Sequence, residues 1–211
     1  MFASVVSLKR NNFARPIAIA LVFASLLNTG CASRQSVQLP DIDSWDARIQ
    51  VLSSINHWEF SGRIGVSAGD DGFNGKLRWV QKNDAFSATV SGPLGIGTVR
   101  IEGDGETVIL TDKDGVRTAL SDAEAELQYR YGWTIPVSSL RYWVLGIPAP
   151  VTPAQTEFNS IGQLVKLAQR DWTVTISRYR QAGGQPMPNR LSASNADTRV
   201  RIVIDKWLFF D

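Results

Sequence analysis

The 211-residue chain has one cysteine, Cys31, and one histidine, His57. A lone thiol cannot form an internal disulfide, and one cysteine with one histidine excludes the usual zinc sites. A Walker-type phosphate loop is also lacking, because Gly75-Lys76 is followed by Leu77 and not by a hydroxyl residue. We therefore expect no cofactor and no ATP binding.

Catalytic motifs are equally scarce. Residues 65–69 match the G-x-S-x-G pattern of serine hydrolases. That fold needs a helix directly after the serine and a histidine late in the chain, whereas here a second strand pattern follows Ser67 and His57 precedes it. Residues 112–115 begin like a calcium loop but lack the later ligands. We predict a protein that is not an enzyme and holds no metal.

Long apolar runs and excess charge are missing after the first 31 residues. Residues 16–27 are almost wholly apolar, but a mature membrane span needs roughly 20 residues. Three of the 22 Lys and Arg and none of the 20 Asp and Glu precede Cys31, so 19 basic and 20 acidic side chains follow it. Because no basic patch with interleaved aromatics occurs, we expect no nucleic-acid partner.

The N-terminal residues form a secretory signal that ends at the cysteine. A basic leader and the apolar run precede the polar or small residues 28–30, and polar residues follow Cys31. We interpret residues 1–30 as a signal peptide, Cys31 as the lipidation site of a bacterial lipoprotein, and residues 31–40 as a lipidated tether. An ordinary signal peptide with a stray thiol is the alternative.

The rest of the chain shows one helical period and then a period of two. Helical spacing from Asp41 to Ile55 predicts an amphipathic helix with Asp41 as its cap. The alternating runs that follow, separated by turn signals, are typical of an antiparallel meander. These runs are 58–66, 73–79, 86–90, 99–101, 108–110, 162–169, 172–179, 191–194 and 198–207.

Two further helices interrupt the strands. A capping box at residues 121–124 predicts a helix to about Tyr131, and Pro136 with Gly146 bounds a second one over 137–145. We predict a mainly β (α+β) fold in one domain, residues 41–211, and a monomer. Ten or eleven antiparallel strands in one sheet curl, which favours an open half-barrel with helices covering its concave face.

Leu94 lies in a turn segment, residues 91–97, that is otherwise rich in glycine. A leucine at a turn needs an explanation, because turn tips are normally polar. It either folds back over the sheet edge or projects as an apolar contact for lipid or a hydrophobic partner. One buried leucine contributes roughly 1.5–3 kcal/mol, which is too little to anchor a protein but enough to bias where an anchored one inserts cargo.

Several short motifs in a fixed order carry a family resemblance. They are Gly62-Arg63-Ile64, Trp79-Val80-Gln81, Gly92-Pro93-Leu94-Gly95, residues 132–136, residues 140–146, Trp172-Thr173-Val174 and Trp207. With Cys31, this order resembles the LolB family of outer-membrane lipoprotein receptors, over about Trp58 to Trp207.

The resemblance implies an open half-barrel with a helical lid and a lipid anchor at the periplasmic face of the outer membrane. It implies that the protein accepts acylated lipoprotein cargo from a LolA-like periplasmic carrier and inserts it into outer-membrane lipid. The family's exposed loop leucine falls on Leu94, and Ala32 replaces the aspartate that commonly retains lipoproteins in the inner membrane. A soluble lipid carrier and a structural envelope lipoprotein are the competing classes.

Acyl chains in transit through water need an apolar shelter, since each buried methylene contributes roughly 0.8 kcal/mol. All seven tryptophans follow Cys31, which indicates a core or cavity with large flat walls. Each candidate for the cavity wall is also a candidate for the core. The candidates are Trp58, Phe60, Trp79, Phe86, Ile101, Trp133 and Trp143.

The Leu94→Glu substitution separates the two interpretations of the turn. If Leu94 projects, cargo acceptance stays largely intact while delivery to the membrane is impaired, because a charged tip is not inserted into lipid. Cargo capture and membrane delivery are measured separately. Loss of acceptance would instead assign Leu94 to the cavity or the core.

Overall fold

The computed structural model describes residues 36–92, 97–104, 107–120, 123–132 and 134–211. Three of the predicted site residues, Cys31, Leu94 and Trp133, lie outside the described residues, as does the start of the predicted capping box. Residues Gln35–Asp211 form a compact unit of their own. The described core residues belong to this unit, which therefore has its own hydrophobic core.

The described residues form three helices and eleven strands. The helices are α1 (Trp45–Ser54), α2 (Ala123–Tyr131) and α3 (Val137–Trp143). The strands are β1 (His57–Ala68), β2 (Asp71–Lys82), β3 (Ala85–Ser91), β4 (Thr98–Gly103), β5 (Val108–Thr111), β6 (Arg117–Leu120), β7 (Ala154–Phe158), β8 (Leu164–Gln169), β9 (Trp172–Ala182), β10 (Gln185–Ser194) and β11 (Thr198–Phe209).

All eleven strands belong to one antiparallel sheet in the order β6-β5-β4-β3-β2-β1-β11-β10-β9-β8-β7. The first and last strands meet at its centre, where β1 pairs with β11 over their full length. Strands β6 and β7 are the two edges of the described sheet, which is therefore open. The inner-face side chains form one buried cluster with Leu52 of α1, Leu127 of α2 and Leu140 of α3. The predicted mainly β fold, an open sheet with helices on one face, is confirmed.

Several predicted boundaries are wrong in detail. Helix α1 begins at Trp45, and its cap is Ser44, whose hydroxyl accepts a hydrogen bond from the Ala47 N–H at 3.2 Å; Asp41 is not the cap. Strands β6 and β7 are absent from the predicted runs, because short edge strands need only one partner and show little alternation. Strand β10 begins at Gln185, before the predicted start at residue 191, since a bulge after Pro188 accommodates proline in the sheet.

Gly62 lies at the centre of the sheet, where the backbones of β1 and β11 approach each other too closely to leave room for a side chain. The register between β1 and β11 shifts between Ser61 and Gly62. A Cβ atom at Gly62 would fall on the carbonyl oxygen of Val203. The absence of a side chain therefore permits the bulge that bends these central strands.

We expect Gly62→Ala to lower the free energy of unfolding by about 3 kcal/mol, because backbone atoms on both strands must move apart. Gly65→Ala is the matched control. Its Cβ would lie 2.6 Å from Oδ1 of the exposed Asn74 side chain, which can rotate away. Urea unfolding measures both variants, and an equal loss in the two would refute the role of the Gly62 backbone.

Candidate functional site

An apolar cavity of about 370 Å³ lies between the inner face of strands β1–β4 and helices α2 and α3. Its volume is within the usual range of small-molecule sites, roughly 300–1,000 Å³. Most of its lining side chains are aliphatic. The lining residues are Ile64, Phe73, Asn74, Leu77, Trp79, Ala88, Val90, Gly92, Gly97, Val99, Ile101, Leu127, Ile135, Val137 and Leu140.

Small side chains on β3 and β4 create this space. Ala88 stands between Trp79 and Ile101 in one row across the sheet. In the next row Val90 pairs with both Leu77 and Val99. Because the side chains of β3 in these two rows are small, a gap remains between the sheet and the helices above it.

Two of the predicted cavity residues line the gap, Trp79 and Ile101. Phe86 is half-buried on the same inner face and stacks on Trp79, with ring centroids 5.3 Å apart. Its ring also covers Gly103, where a Cβ would lie 2.5 Å from the ring. Phe86 therefore packs against the lining residue Trp79 from the neighbouring row of the sheet and is not itself among the lining residues.

Trp58 and Phe60 lie deeper in the core. Both are almost fully buried, with exposed fractions of 2% and 1%. Their ring centroids are 6.2 Å apart, and the Trp207 ring on β11 lies 5.7 Å from Trp58 and 5.1 Å from Phe60. These rings fill the centre of the sheet and sit beside the cavity, not in its lining.

Trp143 fixes the end of α3 against the other half of the sheet. It is fully buried, and its Nε1–H donates to Oε1 of the buried Gln169 at 2.9 Å. Gln169 also accepts from the Ala149 N–H and donates to the carbonyl oxygens of Ala149 and Thr152. This satisfied amide fixes both the indole and the segment that follows α3.

A second buried glutamine orients Trp79 in the same way. Gln81 accepts from Trp79 Nε1–H at 3.2 Å and donates to the carbonyl oxygens of Asn83 and Ala85 at 2.7 and 3.1 Å. The amide thus links the cavity floor to the turn between β2 and β3. Because its polar atoms are paired, the burial of Gln81 carries little penalty.

Arg48 of α1 holds the chain just after α3. Its guanidinium donates to the carbonyl oxygens of Leu145 and Pro186 at 2.9 and 3.1 Å and lies 5.9 Å from the Tyr179 ring centroid. Burial lowers the pKa of Arg48. Burial also raises the pKa of Tyr179 to about 12, while the Arg48 charge opposes that rise. The neutral Tyr179 hydroxyl donates to the Leu164 carbonyl oxygen at 2.8 Å.

The described ranges offer no other obvious chemistry. They contain no group of three or more His, Cys, Asp or Glu side chains that could hold a metal ion. No described helix combines the length and the apolar character that a bilayer crossing requires.

Sequence reasoning missed the small and helical lining residues. The sequence pattern favoured large, mainly aromatic side chains as cavity residues. Ala88, Val90 and Val99 instead contribute to the cavity because their small side chains leave volume free. The alternation of inner-face and outer-face residues along β3 and β4 places these three side chains on the inner face. The strand register was therefore the signal that could have identified them. Leu127 and Leu140 were hidden in helices whose contacts the sequence does not specify.

An open antiparallel sheet with helices over an apolar cavity defines a class of half-barrel proteins that can shelter an apolar ligand. A LolA superfamily protein from Nitrosomonas europaea has this fold, with a TM-score of 0.52, 11% identity, and coverage of 75% of this chain and 88% of that one. A DUF1329 family protein from Desulfovibrio piger also matches, with a TM-score of 0.53, 6% identity, and coverage of 77% and 89%.

Sequence comparison gives the family. The model of the family "Outer membrane lipoprotein LolB" matches residues 56–207. The outer-membrane lipoprotein LolB of Pseudomonas syringae is 34% identical over 199 residues, 92% of this chain and 96% of the relative. That of Nitrosococcus oceani is 32% identical over 191 residues, 89% and 94%. The chain belongs to the LolB family, which confirms the resemblance.

Tyr179 makes stability fall at high pH. Its folded-state pKa is raised above the ordinary value of 10.0 to about 12, so the folded protein binds the phenolic proton more tightly. The stabilisation is fully present below pH 10 and is lost as the pH rises toward 12, by about 2 kcal/mol. Tyr179→Phe should remove this part of the pH dependence in urea unfolding. If the free energy of unfolding of the variant falls between pH 10 and 12 as steeply as that of the wild type, Tyr179 is not the cause of the loss of stability.

Proposed function

We propose that this protein is an outer-membrane-anchored receptor that accepts lipoproteins from a LolA-like periplasmic carrier and inserts them into the outer membrane. The observation that carries the proposal is the apolar cavity between β1–β4 and the two helices, in a chain of the LolB family. The acyl chains of the cargo occupy this cavity, and no ATP is used.

The lining explains how one receptor serves many cargoes. Aliphatic side chains recognise an acyl chain through burial alone, at roughly 0.8 kcal/mol for each methylene. The acyl moiety is common to all lipoproteins, so recognition rests on the lipid and not on the cargo protein. Transfer without ATP needs successive affinities to increase, and about 1.4 kcal/mol at a step gives a tenfold bias.

The anchor and the loop place the cavity at the membrane. Cys31, after removal of residues 1–30, carries the lipid, and residues 31–40 tether the domain of residues 41–211. Leu94 is the membrane-insertion residue of the loop between β3 and β4. The described ends of that loop, Gly92 and Gly97, both line the cavity, so an inserted loop brings the cavity close to the lipid. The protein acts as a monomer, and it is not an enzyme.

A soluble periplasmic carrier is the second candidate, because the fold is shared with a LolA superfamily protein. The N-terminal peptide of the mature protein separates the two. Acyl mass on Cys31 supports the receptor, and a mature N-terminus without acyl mass supports the soluble carrier.

Filling the cavity should block acceptance. Val90 lies on the inner face and lines the cavity, whereas Val80 lies on the outer face beside Glu59 and Ser87. Val90→Trp should therefore lower capture of cargo from a lipoprotein-loaded carrier about tenfold or more, while Val80→Trp should behave as wild type.

Crosslinking of acylated and unacylated cargo measures capture, and thermal unfolding verifies that both variants are folded. Normal capture by Val90→Trp, or equal capture of acylated and unacylated cargo by the wild type, would reject the proposal.

A further inference from the structure

The outer face of the sheet carries a concentration of basic side chains. Strand alternation directs them away from the apolar cavity, and all of them are exposed. We call them the outer-face basic cluster: Arg63, Lys76, Arg178, Arg190, Arg199 and Arg201. Because the chain after Cys31 is nearly neutral, this cluster reflects where charges are placed and not an overall basic composition.

The register brings these cations together. Arg178 pairs with Arg190, Arg190 with Val203, Val203 with Arg63, and Arg63 with Lys76, which forms one row across five strands. Arg201 and Arg199 follow on β11, two and four residues from Val203 toward the turn between β10 and β11. Adjacent strands lie roughly 5 Å apart, so the row is continuous.

Most of these charges are uncompensated. Arg63 has an ion pair, with Asp205 at 2.9 Å. The other five form no salt bridge with any carboxylate in the described ranges. Besides Asp205, the acidic residues at the cavity end of these strands include Asp70 in the turn between β1 and β2, Asp71 at the start of β2, and Asp197 between β10 and β11. A row of exposed, unpaired like charges is unfavourable in the isolated protein and calls for an anionic partner.

Two adjoining grooves lie among these cations. A groove of about 800 Å³ is lined by Arg63, Lys76 and Arg199 together with the carboxylates Asp70 and Asp71. A second groove, of about 400 Å³, is bounded by Arg190 and by the hydroxyl residues Thr175, Ser177 and Ser192. Arg201 and Val203 belong to both. Guanidinium groups with nearby hydroxyls are suited to phosphate oxygens.

The cluster lies at the end of the sheet where the loop of Leu94 leaves it. Lys76 pairs with Ser91, the last residue of β3. Gly92, which follows, lines both the larger groove and the apolar cavity. The cationic outer face and the apolar inner face therefore meet at one end of the sheet.

We propose that the outer-face basic cluster binds the phosphate groups of anionic phospholipids at the membrane surface and so turns the cavity end of the protein toward the bilayer. The inference rests on the proposed function and adds to it a lipid class and an orientation. A cation near an anionic membrane gains about fivefold in binding, and six of them act together on a surface that the anchor already holds close.

The test uses the mature chain from residue 31 with Cys31→Ala, so that the lipid anchor does not dominate binding. Sedimentation is measured with vesicles of phosphatidylcholine, with and without phosphatidylglycerol. Arg199→Gln with Arg201→Gln should reduce binding to the phosphatidylglycerol vesicles roughly tenfold to thirtyfold. Lys82→Gln with Lys206→Gln removes the same charge from exposed outer-face positions outside the cluster, on the opposite side of the row from Arg199 and Arg201, and should change binding less than about twofold.

Two further results complete the test. Arg199→Lys with Arg201→Lys should restore most of the binding, and high salt should weaken binding of the unmodified cluster. An equal loss in the two glutamine variants, or binding independent of phosphatidylglycerol, would overturn the inference. Unchanged vesicle binding with impaired capture from the carrier would assign the cluster to a protein contact instead.

Cargo capture in solution, measured without vesicles, keeps this inference separate from the proposed function. If capture is normal and the vesicle arm fails, the lipid-binding role of the cluster is wrong while the receptor proposal stands. If the wild type captures no cargo, the receptor proposal fails whatever the vesicles show. Thermal unfolding of each variant confirms that the exposed substitutions leave the fold intact.

Discussion

The cavity depends on how helix α3 is held at its C-terminal end. Trp143 bonds to the buried Gln169, and two residues later the Leu145 carbonyl accepts from Arg48 of α1. These contacts lie about one turn beyond Leu140, which together with Val137 roofs the cavity. A helix fixed at one end by paired buried polar groups can cover the small residues of β3 without collapsing onto them, because moving it inward would leave those groups unsatisfied.

The inner face of the sheet has a part that is filled by its own side chains and a part that is covered by the cavity. At its centre Trp58, Phe60 and Trp207 fill the space with their own rings. Toward β3 and β4 the rows shrink to alanine and valine, and the space is left to a ligand. Trp79 stands at the boundary, with one side on the aromatic stack and the other on the cavity, and Gln81 fixes its orientation.

The sequence predicted the sheet well and the cavity poorly, for one physical reason. Period-two alternation is a local property, so β1, β2 and β11 can be found from it, whereas the polar edge strand β7 cannot. A cavity forms where the side chains of neighbouring strands and of the helices above them do not fill the space between the two layers, and this depends on contacts between distant parts of the chain. The aromatic candidates mark where volume is present, and three of the five described ones, Trp58, Phe60 and Trp143, fill the core around the cavity. Ala88 becomes informative only when the register places it between Trp79 and Ile101.

The chemistry of the lining suits a receptor that must also release its cargo. In the proposed function, aliphatic walls hold an acyl chain through burial, and the interior of a bilayer offers the same burial to the same methylenes. The free energy of transfer from the cavity to the membrane is then a small difference between two similar environments, and small contributions decide its sign. A charged or strongly hydrogen-bonding lining would hold the lipid more tightly than the bilayer does and would stop delivery. The lack of polar specificity in this cavity is therefore consistent with passage of the lipid onward without ATP.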